Sequence, residues 1–425
     1  WALAALAALP GFQTVRPPAV ALQTLGTNVT QGDLLAQGPA FRCPGHTGAG
    51  VDVAVIDTSF NNWTATRTAG ELAPEAFAPT SGGNPHGTAC AEIISDLAPG
   101  VRILPVRVAS MADMDAFVQA LPGGAVDVVS HSLVWTGGIS FSDGAGAFCA
   151  MVQDAAAANV AWIQSAGNYA ANRVHVGTIV DVDADGRHEF SPGDEMATFT
   201  APAGFLRVDL DWDAYPTTDL NLDLTLWRHN GTDFVEVGTS TTVQDGTTVP
   251  FEVVFFNSAP AGTYGITVHR AGGETRAPRF RVAVFGAGAN PALEYSSQGQ
   301  SLFDPSHCPD AVTVGASLHS DFAAGLLAYD SSRGPTLDGR TKPDLVGPSG
   351  VRTFNYASFF GTSAATPHVA GAVALLAQAL QVSGNAAAQL LLQDALPTST
   401  PVPNNLWGAG RLQLAPARAG WECAG

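Results

Sequence analysis

Two patterns of apolar positions divide this chain. From Gly48 to Ala166, runs rich in Val and Ile recur as VDVAVID (51–57), VRILPVRV (101–108), VDVVSHS (126–132) and VAWIQSAG (160–167). Between them, HGTACAEIISDL (86–97), MADMDAFVQAL (111–121) and AGAFCAMVQDAAAA (145–158) read as helices. Repeated strand and helix predict a doubly wound, mostly parallel sheet of the α/β class. After Asn168 helical spacing disappears, and the short strands FLRVDLDW, LNLDLTLW, FVEVGTS, PFEVVFFN, GTYGITVH and RFRVAVFG follow one another across Gly, Asp, Asn and Pro turns. That spacing predicts an all-β sandwich or jelly roll. Helix and strand resume at AVTVGA (311–316) and end in the apolar helix PHVAGAVALLAQAL (367–380), opened by Pro367. The expected organisation is an N-terminal segment at 1–44, an α/β domain built from 45–176 and 286–425, and a β domain inserted at 177–285. Residues 1–10 read as a helix stopped by Pro10, and 11–18 as a short strand.

Composition narrows the class. At 425 residues with 46% apolar and 13% charged residues, the chain has length and apolar content for a large core and is not a disordered polymer. A formal net charge of −18, with Lys342 the only lysine, excludes a nucleic-acid partner that relies on clustered basic residues. Cys43, Cys90, Cys149, Cys308 and Cys423 contain no CxxC pair, so a thiolate zinc site is not expected. Buried free thiols and one or two disulfides both fit, with at least one cysteine unpaired. No apolar run approaches the roughly 18 residues of a membrane span. The opening WALAALAALP has the apolar character of a signal peptide but neither Met nor a basic start, so a longer precursor is expected.

The chemistry concentrates in four places. GTSAATPHVAG (361–371) sets Ser363 in a turn leading into a helix, where a hydroxyl is exposed and backbone N–H groups face a developing oxyanion. A serine hydroxyl needs a base to take its proton. His86, in NPHGTACAEI, stands at the start of a helix, and Asp57 ends VDVAVID at the carboxyl edge where parallel sheets collect their sites. Asn168, in SAGN, follows another buried strand.

These four segments, in the order Asp, His, Asn, Ser, resemble the subtilisin-like serine proteases over residues 45–170 and 290–415. SSRGP (331–335) and KPDLVGP (342–348) resemble the segments preceding the nucleophile in that family. The resemblance implies a secreted, bacterial-type serine endopeptidase in which Ser363 attacks, His86 serves as base then acid, Asp57 orients the imidazole, and Asn168 with the Ser363 N–H binds the oxyanion. The triad order Asp, His, Ser separates it from the trypsin and α/β-hydrolase solutions. No cofactor is implied for catalysis. It also implies an extended polypeptide substrate held by Ser132, Leu133, Val134 and Gly167. VVSHSLVWTGG (128–138) departs from the usual Ser-Leu-Gly by placing Val134 and Trp135 there, which reshapes the primary specificity pocket. Residues 1–18 resemble the end of an inhibitory propeptide, implying a zymogen, and the β insertion resembles the jelly rolls of secreted bacterial proteases. Finally, DVDADG (181–186) has the alternate carboxylates of a calcium loop, with Asp181, Asp183 and Asp185 as ligands and Glu189, Asp194 or Glu195 to complete them. A solvated turn is the alternative, since Pro192 stands where the last ligand of an EF-hand belongs.

Overall fold

A computed structural model describes residues 28–42, 45–286 and 292–415. The helix and strand expected at 1–18, Cys43 and Cys423 lie outside the described residues. The strands are β1 (Asp52–Asp57), β2 (Arg102–Arg107), β3 (Val128–His131), β4 (Ala161–Ser165), β5 (Val174–Thr178), β6 (Ala197–Ala201), β7 (Gly204–Trp212), β8 (Leu222–His229), β9 (Phe234–Ser240), β10 (Phe251–Ala259), β11 (Gly262–Arg270), β12 (Arg279–Gly286), β13 (Ala311–Leu318) and β14 (Leu345–Ser349). The helices are α1 (Gln31–Leu35), α2 (Gly38–Arg42), α3 (Trp63–Thr68), α4 (His86–Leu97), α5 (Met111–Ala120), α6 (Ala147–Ala157), α7 (Thr362–Leu380) and α8 (Gly384–Asp394).

Six strands form one parallel sheet in the order β14-β13-β4-β3-β1-β2. Alternate residues of each strand feed opposite cores. Val53 and Val55 join α4 and α7 on one face, while Ala54 and Ile56 join Met114, Val118, Phe148 and Val152 of α5 and α6 on the other. Because side chains alternate across a strand, burial on both faces requires the continuous apolar runs seen in the sequence. β1 lies one strand in from the β2 edge; from it the chain goes outward to β2 and returns through β3 on the other side of β1, so the strand order reverses between β1 and β3. Open α/β sheets form a crevice at such a reversal, outside the carboxyl ends of the strands.

α7 begins at Thr362, five residues before Pro367, which lies inside the helix rather than opening it. By length and apolar composition this helix is able to cross a bilayer, contrary to the expectation from apolar runs, but 78% of its apolar window is buried within the protein. It is a core helix, packed on α4 and on β3, β4, β13 and β14. Lys342, the lone lysine, is also internal: its Nζ donates to Ala311 O and Asp344 Oδ2, both at 2.6 Å, and Asp344 Oδ2 accepts from Thr313 N. The KPD segment thereby fastens β14 to β13. A disulfide joins Cys149 of α6 to Cys308, and Cys90 is a buried free thiol.

Residues 174–286 form two four-stranded antiparallel sheets, β10-β7-β12-β5 and β6-β11-β8-β9. Their facing residues, Leu206, Val208, Leu210 and Trp212 against Leu222, Leu224, Tyr264, Ile266 and Val268, share one buried cluster. Strands β5 and β6 escaped the sequence reading, because each is short and bordered by polar turns. The other face of β7 and β12 is not turned to water. Arg281 and Asp211 form a buried two-point ion pair (2.6 and 3.0 Å), and Arg281 Nη1 also donates to Ser142 Oγ and Leu302 O. Asp211 is a docking residue, since a charge excluded from water requires a partner.

Candidate active site

Asp57 closes β1 and His86 opens α4, and the two meet at the crevice. His86 Nδ1 lies 2.5 Å from Asp57 Oδ2, with the carboxylate side chain 1% exposed and the imidazole 22% exposed. The other carboxylate oxygen accepts from Ser59 N at 3.2 Å. Asn84 ties the acid's loop to the base: its Oδ1 accepts from Ser59 Oγ (2.7 Å) and from the His86 backbone N–H (3.0 Å). The sequence reading missed Asn84, although Asn before Pro at a helix start is a recognisable signal for a side chain that captures an early helical N–H. The glycine after His86 is required by space. A Cβ on Gly87 would stand 2.7 Å from Asp57 Cβ and 2.8 Å from Ser59 O, so only glycine lets α4 begin this close to β1.

Ser363 is the second residue of α7, and Pro367 acts on it from within the helix. Proline has no N–H to give to the carbonyl four residues earlier, so Ser363 O is left without its helical donor. Two side chains replace it: Ser132 Oγ donates at 3.1 Å and Cys90 Sγ at 3.6 Å. In return, Ser363 Oγ donates to Ser132 O at 3.1 Å. Cys90 lies one helical turn after His86, with its sulfur within 4.8 Å of ligand atoms of both His86 and Asp57. It therefore sits between the acid–base pair and the serine. Burial pushes its thiol pKa well up, with the Asp57 charge acting in the same direction, so it remains a neutral donor. The second histidine of the segment, His368, is fully buried and bound through both nitrogens, to Ala364 O and Thr30 Oγ1, and plays a structural part.

Asn168 follows β4 and faces the start of α7. Its Oδ1 accepts from Thr362 N (3.0 Å) and Thr362 Oγ1 (3.2 Å), which leaves the amide N–H₂ as the group free to point at a ligand. Thr362 Oγ1 in turn accepts from Gly167 N at 3.0 Å. Gly361, at φ +85°, has the left-handed backbone that glycine tolerates, and a Cβ there would meet Asn168 Nδ2 at 2.7 Å. The Gly-Thr pair before Ser363 thus exists to seat Asn168.

Ser132, Leu133 and Val134 continue β3 beyond its last paired residue. Leu133 O is taken by Gln164 Nε2 at 2.7 Å, and Trp135 N donates to Asp304 O at 2.7 Å, so the segment is held from behind and from its far end. Val134 packs with Tyr169, Phe303, and Val174, Ala283 and Phe285 of the β region. Val134, in the altered Ser-Leu-Val sequence, is therefore one of the contacts through which the two sheet regions meet.

The acidic loop lies apart from this constellation, between β5 and β6. Asp181, Asp183 and Asp185 bring carboxylate oxygens within 4.8 Å of one another. Asp181 also pairs with Arg270, and Glu189 accepts from Val182 N and Gly193 N. Asp194 accepts from Tyr295 OH and Glu195 pairs with Arg187, so these two are engaged elsewhere.

The subtilase family model matches residues 257–410. Pyrolysin of Pyrococcus furiosus is 45% identical over 65 residues, which are 14% of this chain and 5% of pyrolysin; the chain thus matches only a small part of that relative's length. The CspB protease of Clostridium perfringens superposes with a TM-score of 0.61 over 92% of this chain and 98% of its own, at 13% identity, which shows a common fold. A cold adapted subtilisin-like serine proteinase aligns over 87% of this chain and 91% of its own at 17% identity, with a TM-score of 0.44. The chain is thus similar to the subtilase family over residues 257–410, and its six-stranded parallel fold is shared with the CspB protease.

Proposed function

We propose that this protein is a serine endopeptidase that cleaves polypeptide through an acyl-enzyme on Ser363. The observation that carries the reading is the 2.5 Å bond between buried Asp57 and His86 at the crevice that also holds Ser363 and Asn168. In this mechanism an extended substrate lies along Ser132, Leu133 and Val134, with Gly167 bordering the scissile carbonyl. A substrate N–H that takes the Ser132 carbonyl releases the Ser363 hydroxyl, which turns to His86 Nε2. His86 accepts the proton as Oγ attacks, Asp57 stabilises the resulting imidazolium, and the Asn168 amide with the Ser363 N–H binds the oxyanion. His86 then protonates the leaving amine, and water repeats the sequence to free the acid. Export to an extracellular setting fits the acidic composition and the Cys149–Cys308 disulfide. An inhibitory propeptide is part of the same reading.

The decisive experiment compares the protein with Ser363→Ala, using a fluorophosphonate probe and casein. Labelling and cleavage are expected in the parent alone, with turnover down about 10⁶-fold in the variant, the loss known for subtilisin's own nucleophile. Equal labelling in both proteins would overturn the assignment.

Calcium at Asp181, Asp183 and Asp185 is proposed as a structural ion. Its support is the carboxylate cluster together with Asp181 Oδ1, which is buried without a hydrogen-bond partner. A chelator is expected to lower the melting temperature, and an unchanged melt would remove the ion from the reading.

A further inference from the structure

Behind the segment that continues β3, the parallel sheet carries two polar side chains in an apolar layer. His131 of β3 and Gln164 of β4 stand opposite each other in register, and both are fully buried. Alternation along each strand puts them on the face of Val129 and Trp162, which belong to the core against α5 and α6. A buried amide and a buried imidazole cost stability unless their donors and acceptors are met. Here they are met. Trp162 Nε1, which can only donate, lies 3.1 Å from Gln164 Oε1 and so fixes the orientation of the amide. The same oxygen lies 2.7 Å from His131 Nδ1, which therefore carries the proton, and His131 Nε2 is left to accept from Trp135 Nε1 at 3.4 Å. Gln164 Nε2 donates to Leu133 O at 2.7 Å and to Ser165 O at 3.0 Å.

These bonds close on themselves. They start at the indole of Trp135, pass through His131 and Gln164, and return to the carbonyl of Leu133, so that Val134 is clasped between its two neighbours. Successive carbonyls of an extended segment face opposite sides. A Leu133 carbonyl drawn towards β4 thus turns the Ser132 carbonyl the other way, where it accepts from Ser363 Oγ. A fully satisfied buried network permits one arrangement of the groups it joins, whereas an apolar pair at the same two positions would fill the layer without fixing the segment.

We propose that Gln164 and His131 are positioning residues for the peptidase: buried out of reach of substrate, they hold Leu133 to Trp135 in the orientation that presents Ser132 O and the Val134 peptide to the acyl part of a polypeptide. This role rests on the peptidase reading and adds to it the part of the fold that makes the substrate segment rigid. Trp135 is the outer end of the clasp, and its backbone N–H is held separately by Asp304 O.

Long and short substrates separate this role from support of the fold. Gln164→Met keeps the volume and removes the donor to Leu133 O. With a tetrapeptide nitroanilide, which extends along Ser132 to Val134, KM is expected to rise about tenfold, the worth of one buried hydrogen bond, with kcat within about twofold of the parent. p-Nitrophenyl acetate, whose acyl group is too short to reach the segment, is expected to be hydrolysed at the parental rate. Trp135→Phe keeps a ring against Phe148 but loses the indole N–H, and is expected to raise the peptide KM about threefold. Because both changes act through one clasp, the double variant is expected to be no worse than Gln164→Met alone. A parental peptide KM in Gln164→Met overturns the role, as do an equal loss with peptide and ester, which means support of the fold alone, and fully additive effects of the two substitutions. Should Gln164→Met not fold, Trp135→Phe decides by itself, and a parental KM there overturns the role. Each of these results leaves Ser363-dependent ester hydrolysis by the parent, and hence the peptidase reading, standing; absence of that hydrolysis sinks both.

Discussion

The parallel sheet and the paired antiparallel sheets bury polar groups for opposite ends. In the parallel region the buried acid, Asp57, sits at a strand terminus, where the backbone turns and a neighbouring helix supplies its partner His86. In the antiparallel region the buried charges Asp209, Asp211 and Arg281 lie within the paired ladder of β7 and β12, on the face opposite the sandwich core. The first arrangement leaves a half-exposed edge at which a substrate is able to bind. The second seals a contact, with Arg281 reaching Ser142 and Leu302 across the boundary. A buried charge therefore signals chemistry or docking according to whether it stands at the end of an element or within it.

If that distinction holds, substitutions at the strand ends damage turnover and substitutions within the ladder damage stability. The largest separation is expected at Asn168. Asn168→Ala is predicted to lower kcat by about 100- to 1000-fold, the range set by the same donor in subtilisin itself, with little change in KM. Steady-state kinetics with a chromogenic peptide checks it, and a loss confined to KM would contradict the oxyanion role.

Asp211→Ala is predicted to cost about 3–5 kcal/mol of unfolding free energy, because Arg281 stays buried without its carboxylate. The paired replacement Asp211→Leu with Arg281→Met is predicted to recover most of that loss. Denaturant unfolding distinguishes the two, and a single variant as stable as the parent would mean that the docking face is wet.

A smaller effect depends on pH and touches both regions. His131 and His188 are buried, and loss of hydration holds each imidazole down at about 4. His131 Nδ1 lies 2.7 Å from Gln164 Oε1, and its Nε2 accepts from Trp135 Nε1. With the folded pKa below the unfolded value of about 6.5, stability is complete above that value and declines as pH falls towards 4, because the unfolded chain takes up the proton first. His131→Gln is predicted to be less stable than the parent at pH 7, with the gap closing by about 3 kcal/mol between pH 6.5 and 4. A gap that is constant across that window would show that His131 titrates normally.

Much of the parallel-sheet half was legible because its geometry is local. The run VDVAVID, the helix from His86 and the turn before Ser363 are each fixed by neighbours in sequence, and Asp57, His86, Asn168 and Ser363 all fall where those elements begin or end. Effects that cross between elements leave no such local mark. Pro367 looked like a helix opener, yet it stands within α7, where the carbonyl it frees is claimed by Ser132 and Cys90 from two other elements.

What the sequence determined by itself was periodicity: which runs are buried on both faces, where helices begin, and which side chains stand at strand ends. Those properties follow from backbone geometry and solvent exclusion over a few residues. Tertiary structure alone decided that the polar face of β7 and β12 docks instead of meeting water, that Val134 joins an aromatic cluster, and that an apolar cavity opens beside Gly361. These depend on the approach of surfaces distant in sequence, and an alternating strand pattern is the same whether its polar face meets solvent or a partner that neutralises its charge.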